Sequence, residues 1–310
     1  MFSRRKFLQY SGGASVALSV ALPDYSYASE NTLAKITILH TNDVHSNIEP
    51  FPSNHTKFPN RGGVAYRKAI IDKIRAQESN VLLLDAGDIF QGTPYFNIFH
   101  GEAEIKLMTA MGYDACTIGN HDFDGGMENL KRQSQFAMFP MLNCNYSLQG
   151  TPLQDVIKPY CILYKGGIKI GITGVGVDPK GLIPMNLCAG VMYNDPVSAV
   201  QEVVRVLKYK EKCNLIICLS HLGYAYEDER ISDLKLAANT EDIDIIIGGH
   251  THTFLEKPTE VINKAGEIVL VNQVGWAGIN LGRIDVFFEK KSKKKSASGY
   301  TVIVDKKTSE

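Results

Sequence analysis

Five short apolar runs along the chain are each followed by side chains that can bind a metal ion. The runs are 36–39, 81–84, 115–118, 215–219 and 243–247. The side chains that follow them, in the same order, are Asp43 and His45, Asp88, Asn120, His221, and His250 with His252. Because ligand sites in α/β sheets gather outside the carboxyl ends of strands, five such ends can converge on one crevice.

The seven side chains together have the chemistry of a two-metal centre. Four histidines, two aspartates and one asparagine supply borderline nitrogen and hard oxygen donors, and that mixture suits Mn, Fe, Zn or Co better than Mg or Ca alone. Seven donors are too many for one ion with an open position, but they fit two ions that share a bridging carboxylate. Two ions about 3.5–4 Å apart can hold both the attacking and the leaving oxygen of an in-line displacement. The pattern therefore predicts metal-assisted hydrolysis.

The elements that must position these side chains alternate between strands and helices. The β-branched runs are typical of buried strands. Three apolar patterns with helical spacing lie between them: Val200, Val203, Val204 and Leu207; Ile105, Met108 and Met111; and Ile231, Leu234 and Ala238. Asp195 and Pro196 provide a cap and a first-turn proline for the first of these helices. Gly166 and Gly167 predict a hairpin turn. Parallel β-α-β units with hairpins imply an α/β architecture with a mixed sheet.

Four motifs in fixed order give a resemblance to a known family. They are Thr41-Asn42-Asp43-Val44-His45, Gly87-Asp88-Ile89-Phe90-Gln91-Gly92, Gly119-Asn120-His121-Asp122-Phe123-Asp124 and Gly249-His250-Thr251-His252. Together they resemble the calcineurin-like metallophosphatase superfamily, and more closely its 5′-nucleotidase branch, over roughly residues 35–285. The resemblance implies a four-layer α/β/β/α sandwich, with two mixed sheets flanked by helices. It also implies a metal-dependent phosphoester hydrolase, in first place a 5′-nucleotidase-like phosphomonoesterase that acts on a small-molecule phosphoester such as a nucleotide.

The resemblance also implies a role for each site residue. One metal would be held by Asp43, His45 and His252, and the second by Asn120, His221 and His250. Asp88 would bridge the two divalent ions (Mn, Zn, Fe or Co), together with a water or hydroxide that acts as the nucleophile. The remaining two residues act on the phosphoryl group: His121 would stabilise its charge or protonate the leaving group, and Asp124 would orient His121. Asp122 stands where the family usually has Glu, which is a mild change.

Other readings of these residues stay open. Taken singly, Asp43, Asp88 and Asn120 could be turn or cap residues, and His221 could be a buried structural histidine. The same metal centre could serve a phosphodiesterase, a nucleotide-sugar hydrolase or a sulfur-ester hydrolase, which mono- and diester substrates would separate. A non-catalytic exported metal-binding module is a third class, although such a module has no need of His121 and Asp124.

Several chemically capable residues are interpreted as structural. His40, His55 and His100 occupy no ligand position in the pattern, and Asp85 is expected to bond neighbouring backbone. The six cysteines form no C-x-x-C pair, which argues against thiolate zinc or a redox dithiol. We expect the four in or beside apolar runs to be small buried hydrophobes: Cys116, Cys161, Cys213 and Cys218.

The N-terminal residues resemble a twin-arginine export signal. Arg4 and Arg5 precede a mild apolar run, and residues 26–28 (Ser-Tyr-Ala) form a small-x-small cleavage site. We expect a signal peptide over 1–28 and a catalytic domain over 29–310, exported to the periplasm or cell exterior of a bacterium.

Basic and acidic residues balance at 33 each, so no nucleic-acid partner is expected. No apolar run reaches the roughly 18–20 residues of a membrane span, so we expect no membrane association after signal removal.

The C-terminal part carries two further expectations. The lysine-rich run 290–295 is interpreted as the solvated loop of a terminal β-hairpin that joins segments 283–289 and 300–305. Longer proteins of the 5′-nucleotidase branch carry a second domain that stacks the nucleobase between aromatic rings. We expect such a nucleotide-binding domain to be supplied here by a separately encoded partner.

Overall fold

The computed structural model describes residues 32–289 and 295–310, which build two β-sheets flanked by helices. The signal segment 1–28 and residues 290–294 of the lysine-rich run lie outside these residues. The strands are β1 (Thr32–Thr41), β2 (Val81–Asp85), β3 (Ala115–Thr117), β4 (Met141–Leu142), β5 (Tyr146–Ser147), β6 (Ile157–Lys158), β7 (Tyr160–Lys165), β8 (Ile168–Gly176), β9 (Met192–Tyr193), β10 (Leu215–His221), β11 (Ile245–Gly248), β12 (Thr259–Ile262), β13 (Ile268–Asn272), β14 (Asn280–Glu289) and β15 (Lys295–Ile303). The helices are α1 (Val64–Gln77), α2 (Pro94–Phe99), α3 (Glu102–Met111), α4 (Met127–Ser134), α5 (Pro196–Arg205), α6 (Asp233–Asn239) and α7 (Lys306–Ser309).

Both large sheets are mixed, and their parallel strands end at one edge. The first sheet has the order β15-β14-β1-β2-β3-β4-β6, and the second has the order β12-β13-β11-β10-β8-β7. Parallel pairing joins β1 to β2 and continues through β3, β4 and β6. In the second sheet it joins β8, β10, β11 and β13. The predicted ligands lie at the carboxyl ends of β1, β2, β3, β10 and β11.

Alternating side chains along the strands fill separate apolar layers. Between the two sheets, Ile38 and Leu84 of the first pack with Ile172 and Ile217 of the second, and all four are fully buried. Outward-facing residues of the first sheet, such as Leu39, pack against helices α1 and α3. Residues of the second sheet, such as Ile216 and Cys218, pack against α5 and α6. The order of layers is therefore helix, sheet, sheet, helix, which confirms the predicted sandwich.

Two of the three predicted helices are confirmed, both in their position along the chain and in the side that they bury. The Asp195 carboxylate caps α5 by accepting from Ser198 N at 2.8 Å, and Val200, Val204 and Leu207 are fully buried, the last in a π-helical turn at Val206–Lys210. Helix α3 buries Ile105, Met108 and Met111 as predicted.

The third helix was predicted with the wrong boundary and face. Ser232 caps α6 by accepting from Lys235 N, so Ile231 precedes the helix. The cap shifts the buried face to Leu236 and Ala237, and Ala238 is exposed.

The two predicted hairpins are present. Lys165 pairs with Ile168 around the glycine turn, where Gly166 and Gly167 both have positive φ. At the C-terminus β14 and β15 pair antiparallel, with Arg283 opposite Tyr300. The second strand of that hairpin begins earlier than expected, at Lys295, because it pairs along nearly the whole of β14. None of the described helices is long and apolar enough to cross a membrane.

The four cysteines expected to be small buried hydrophobes are largely buried. Cys116, Cys213 and Cys218 are buried, whereas Cys161 is only half-buried because β7 lies at the edge of its sheet. None of the six forms a disulfide, and burial raises the pKa of the Cys161 thiol to about 12.

Candidate metal centre

The loops that follow β1 and β2 stay paired beyond the ends of their strands. Asp43 N donates to Gly87 O at 2.9 Å, and His45 N donates to Asp88 O at 3.0 Å. This second stretch of backbone pairing fixes Asp43 and His45 beside Asp88. The site therefore begins as an extension of the sheet rather than as a free loop.

Five of the seven predicted ligands have left-handed backbone conformations. The φ angles are 50° at Asp43, 49° at His45, 56° at Asp88, 72° at His250 and 51° at His252. Asp and His enter this region more often than most residues, yet each such residue still costs on the order of 1–3 kcal/mol. The surrounding hydrogen bonds must offset this cost. Such strain is typical of functional sites, where the backbone conformation aims the side chains at a ligand.

The first group of candidate ligands contains Asp43, His45 and His252. One ligand atom from each lies within 4.8 Å of the others. Asp43 Oδ1 is 3.4 Å from His252 Nε2 and 4.0 Å from His45 Nε2. The two Nε2 atoms are 3.1 Å apart. The resemblance placed these three residues on one metal, and the structure brings them together.

The second group contains Asp88, His221 and His250, again with ligand atoms within 4.8 Å of one another. Asp88 Oδ2 is 3.1 Å from His221 Nε2, and His250 Nδ1 is 2.9 Å from the amide oxygen of Asn120. The structure thus brings all seven predicted ligands into one site, in two adjoining groups.

Asp88 faces both groups at once. Its Oδ2 atom is 3.1 Å from His221 Nε2 and 3.8 Å from His45 Nε2. Its other oxygen accepts from His121 N at 2.8 Å, which fixes the carboxylate plane. Asp88 therefore lies within reach of both groups of candidate ligands.

The imidazole orientations fit bound cations. His221 Nδ1 lies 2.7 Å from Ala86 O and His45 Nδ1 lies 3.3 Å from Phe90 O, so each Nδ1 can donate its proton to a carbonyl. The Nε2 lone pairs then point into the site, and His221 Nε2 is buried without a hydrogen-bond partner. Nitrogen lone pairs that face carboxylate oxygens and other nitrogen lone pairs would repel them, and a cation bound between these atoms removes the repulsion. The donor set therefore fits divalent ions.

Electrostatics at the site favour positive charge. Burial on its own would lower the pKa of His221, but the Asp88 and Asp43 carboxylates raise it to about 10. Burial likewise opposes ionisation of Asp88, yet the His221 and His45 rings lower the pKa of that carboxyl. The field that would hold a proton on His221 would equally hold a metal ion there.

His121 and Asp124 form a separate pair at the edge of the centre. A 3-10 turn over His121–Phe123 places His121 Nδ1 2.8 Å from Asp124 Oδ2. This hydrogen bond raises the pKa of His121. The ring lies edge-on to His45, with centroids 5.3 Å apart, and remains partly exposed. Nε2 is left available to a substrate, so the pair can deliver a proton beside the metal groups.

The role of Asp122 could not be predicted from the sequence. Its buried carboxylate accepts backbone N–H groups from both neighbouring loops: Gly119 at 2.7 Å, Asp88 at 3.0 Å, Ile89 at 2.9 Å and Phe90 at 3.1 Å. Burial and the nearby Asp88 raise the pKa of Asp122 to about 7. The only sequence signal was its place inside the motif, and that signal does not reveal a carboxylate that ties two loops together.

Asn42 and Gln273 form hydrogen bonds to the loops that carry the candidate ligands. Asn42 Nδ2 donates to Asp43 Oδ2 at 2.7 Å, and Asn42 Oδ1 accepts from Val274 N at 3.0 Å. Gln273 Nε2 donates to Gly249 O at 2.6 Å. Each amide fixes a loop that carries candidate ligands. Neither residue stands in a sequence motif that would identify it as part of the site.

The histidines interpreted as structural lie outside both groups. His40 Nε2 is 2.9 Å from Asn272 Nδ2, and burial lowers the pKa of His40 to about 3. His55 Nδ1 accepts from Phe58 N, and His100 ends α2 in a left-handed conformation. Asp85 bonds neighbouring backbone as expected, accepting from Gly87 N at 2.9 Å.

Comparison with known proteins adds the family context. The profile of the calcineurin-like phosphoesterase family matches residues 36–254. The snake venom 5′-nucleotidase of Gloydius brevicauda is 35% identical, over 89% of this chain and 49% of the relative. The chain thus spans about half the length of the curated relatives it matches.

Solved structures agree with this context. The 5′-nucleotidase precursor from Thermus thermophilus superposes with a TM-score of 0.78 at 32% identity, over 89% of this chain and 55% of that one. The NAD nucleotidase of Haemophilus influenzae superposes with a TM-score of 0.75 at 28% identity, over 88% and 56%.

Proposed function

The chain belongs to the calcineurin-like phosphoesterase family, and from that premise we propose that it is a two-metal phosphomonoesterase that acts on 5′-nucleotides. The family makes it a phosphoester hydrolase. The substrate and the assignment of individual residues are our proposal. What supports it most directly is the pair of adjoining ligand groups with the Asp88 carboxylate between them.

In this proposal one ion is held by Asp43, His45 and His252, and the other by Asn120, His221 and His250, with Asp88 shared. When bound, the two divalent ions would act as Lewis acids and lower the pKa of a water molecule to near neutrality. Mixed imidazole, carboxylate and amide donors are compatible with Mn, Zn, Fe or Co.

The residues beside the ions bind and protonate the ester. His121, whose pKa is raised by its hydrogen bond to Asp124, donates a hydrogen bond to a phosphoryl oxygen or a proton to the departing alcohol. Asp124 keeps Nδ1 of His121 protonated and the ring in place. Asp122 holds the backbone that carries Asp88, so the shared carboxylate keeps its direction.

Phosphate release from AMP tests the proposal. Purified protein reconstituted with Mn²⁺ is assayed with AMP and with p-nitrophenyl phosphate, and both should be hydrolysed. His221→Ala and Asn120→Ala should each lower kcat by at least about 1,000-fold. Each removes a donor from the second ion, and a site that keeps only the first ion cannot hold both the attacking and the leaving oxygen. His55→Ala, which removes a ring outside both groups, serves as the control. Undiminished turnover by either ligand variant would contradict the two-metal assignment.

A diester or dinucleotide substrate is the second candidate. The likeness to a structure described as an NAD nucleotidase favours it. Comparing p-nitrophenyl phosphate with bis-p-nitrophenyl phosphate on the same enzyme separates the candidates, since a phosphomonoesterase should prefer the monoester. The partner that would supply a separate nucleotide-binding domain stays a prediction.

A further inference from the structure

A cleft of about 440 Å³ opens directly beside His250. Pockets for small organic ligands usually measure roughly 300–1,000 Å³. The cleft walls are largely apolar or aromatic: Leu182, Tyr193, Leu222, Tyr226 and Ile231. Two cationic side chains, Lys180 and Arg230, also line it. The cleft is continuous with the candidate metal centre because His250 belongs to both.

One wall is fixed by contacts around Tyr226. The Tyr226 hydroxyl donates to Leu222 O at 2.6 Å, and the Arg230 guanidinium lies over the ring at 4.2 Å. Arg230 Nε is in turn bonded to the Asp228 carboxylate at 2.9 Å. The guanidinium therefore covers one face of the Tyr226 ring, and the Arg230 side chain is itself 67% exposed.

The opposite wall is a short turned loop. Lys180 N donates to the Asp178 carboxylate at 3.0 Å, and Ile183 N donates to Pro179 O at 2.9 Å. Ile183 is buried and anchors the loop, whereas Leu182 is 46% exposed although it is a large apolar residue. An ordered loop that presents a leucine to an open cleft is suited to an apolar ligand surface.

We propose that this cleft receives the nucleoside of a 5′-nucleotide while the phosphate lies at the metal centre. The inference rests on the proposed function. A nucleobase has a flat π surface that stacks on aromatic rings and guanidinium planes, and Tyr193, Tyr226 and Arg230 supply such surfaces. Lys180 and Arg230 add positive charge to the lining, although Arg230 is paired with Asp228 and Asp178 also lines the cleft. The domain described here would thus contribute to base recognition by itself.

A second aromatic surface lies on the other side of the centre. Trp276 stacks on His252 with centroids 5.9 Å apart, and Phe51, Phe58 and Phe254 continue the row. Trp276 stacks on His252 and Phe58 stacks on Phe254, whereas Phe51 meets Trp276 edge-on and Phe254 is 46% exposed. The cleft beside His250 is concave and encloses about 440 Å³, which makes it the better nucleoside site, and the row of rings is the alternative that the experiment must separate.

The experiment compares AMP with ribose 5-phosphate on the Mn²⁺-reconstituted full chain. Both are phosphate monoesters of a ribose 5-hydroxyl group, and only AMP carries a base, so the ratio of their kcat/KM values reports the contribution of the base. We expect the wild type to prefer AMP by about tenfold or more. Leu182→Ala and Ile231→Ala should each lower this ratio by about three- to tenfold, mainly through KM for AMP. Met185→Ala is the matched control, because Met185 is an exposed residue of the same loop that does not line the cleft.

Each other outcome has a defined meaning. An unchanged ratio in both cleft variants, or a ratio that falls only in Phe254→Ala, would overturn the proposed nucleoside site. Equal hydrolysis of the two esters by the wild type would also overturn it, and would leave the phosphomonoesterase intact. If AMP, ribose 5-phosphate and p-nitrophenyl phosphate are all left unhydrolysed, the proposed function itself fails.

Discussion

At the scale of single residues, the site depends on side chains that never touch substrate. Asp122 accepts four backbone N–H groups, and Asn42 holds both Asp43 and the loop at Val274. Such partners hold ligand-bearing backbone in left-handed conformations that would otherwise relax. Changes at these positions should therefore alter metal binding without removing a ligand.

Asp122→Asn tests the role of this carboxylate, because it replaces a single acceptor oxygen. The side-chain NH₂ that this substitution introduces would face two backbone N–H donors, so those donors would lose their acceptor. We expect Mn²⁺ affinity and kcat/KM to fall by about 10- to 100-fold, measured by metal titration and AMP hydrolysis. Asp122→Glu keeps both acceptor oxygens and should restore most of the activity. Equal losses in both variants would show that side-chain size, rather than the acceptor pair, is what matters.

Asp233 should make stability depend on pH. Burial raises the pKa of this carboxyl from 3.8 to about 8. Between roughly pH 4 and pH 8 the folded protein therefore keeps a proton that the unfolded chain releases, so stability falls as pH rises. Asp233→Asn keeps an acceptor for the Ser220 hydroxyl, 2.5 Å from the carboxylate in the wild type, but cannot ionise. The drop in Tm between pH 5 and pH 8 should be smaller in this variant; an equal drop would rule out Asp233 as its source.

At the scale of elements, the sequence predicted what local patterns determine. The Val200–Val204–Leu207 spacing and the Asp195 cap identify α5, and Gly166-Gly167 identifies a hairpin, because each depends on neighbouring residues only. The two-residue strands β4, β5, β6 and β9 were not predicted, since tertiary pairing alone makes them strands. The candidate ligands could be predicted because Asp, Asn and His follow apolar runs, whereas Gln273 and Asn42 act through contacts distant in sequence.

Helices α1 and α3 bury opposite charges that the sequence did not reveal. Arg67 is 2% exposed and Glu104 is 4% exposed, and both line one small cavity. Arg67 Nε and both Glu104 oxygens are buried without hydrogen-bond partners among the described residues. No salt bridge within 4.0 Å joins them among the described residues, but Coulomb attraction across the cavity should offset part of the cost of burying each charge. We therefore expect Glu104→Leu alone to destabilise the fold by about 3–5 kcal/mol.

The double variant supplies the contrast. Arg67→Met with Glu104→Leu removes both charges at similar volume, and we expect stability equal to the wild type or up to about 4 kcal/mol higher. Urea unfolding of the three proteins measures the difference. A double variant as unstable as the single one would show that the charges are satisfied independently and are not a pair.

At the scale of the whole molecule, the export signal is the prediction that lies outside the described residues. Arg4→Lys with Arg5→Lys keeps the charge but removes the arginine pair. We expect the variant to stay in the cytoplasm unprocessed, while the wild type is recovered from the periplasm with Ser29 as its first residue. N-terminal sequencing and cell fractionation measure this. Normal export of the variant would exclude the twin-arginine route.

The two candidate ligand groups each draw on both sheets. Asp43 and His45 follow β1 of the first sheet, but their companion His252 follows β11 of the second. Asp88 follows β2, whereas His221 and His250 belong to the second sheet. During synthesis the first-sheet ligands emerge well before the histidines that complete each group. A nascent or truncated chain therefore has no finished ion site, and metal capture would mark the moment at which the two halves of the sandwich have closed on each other.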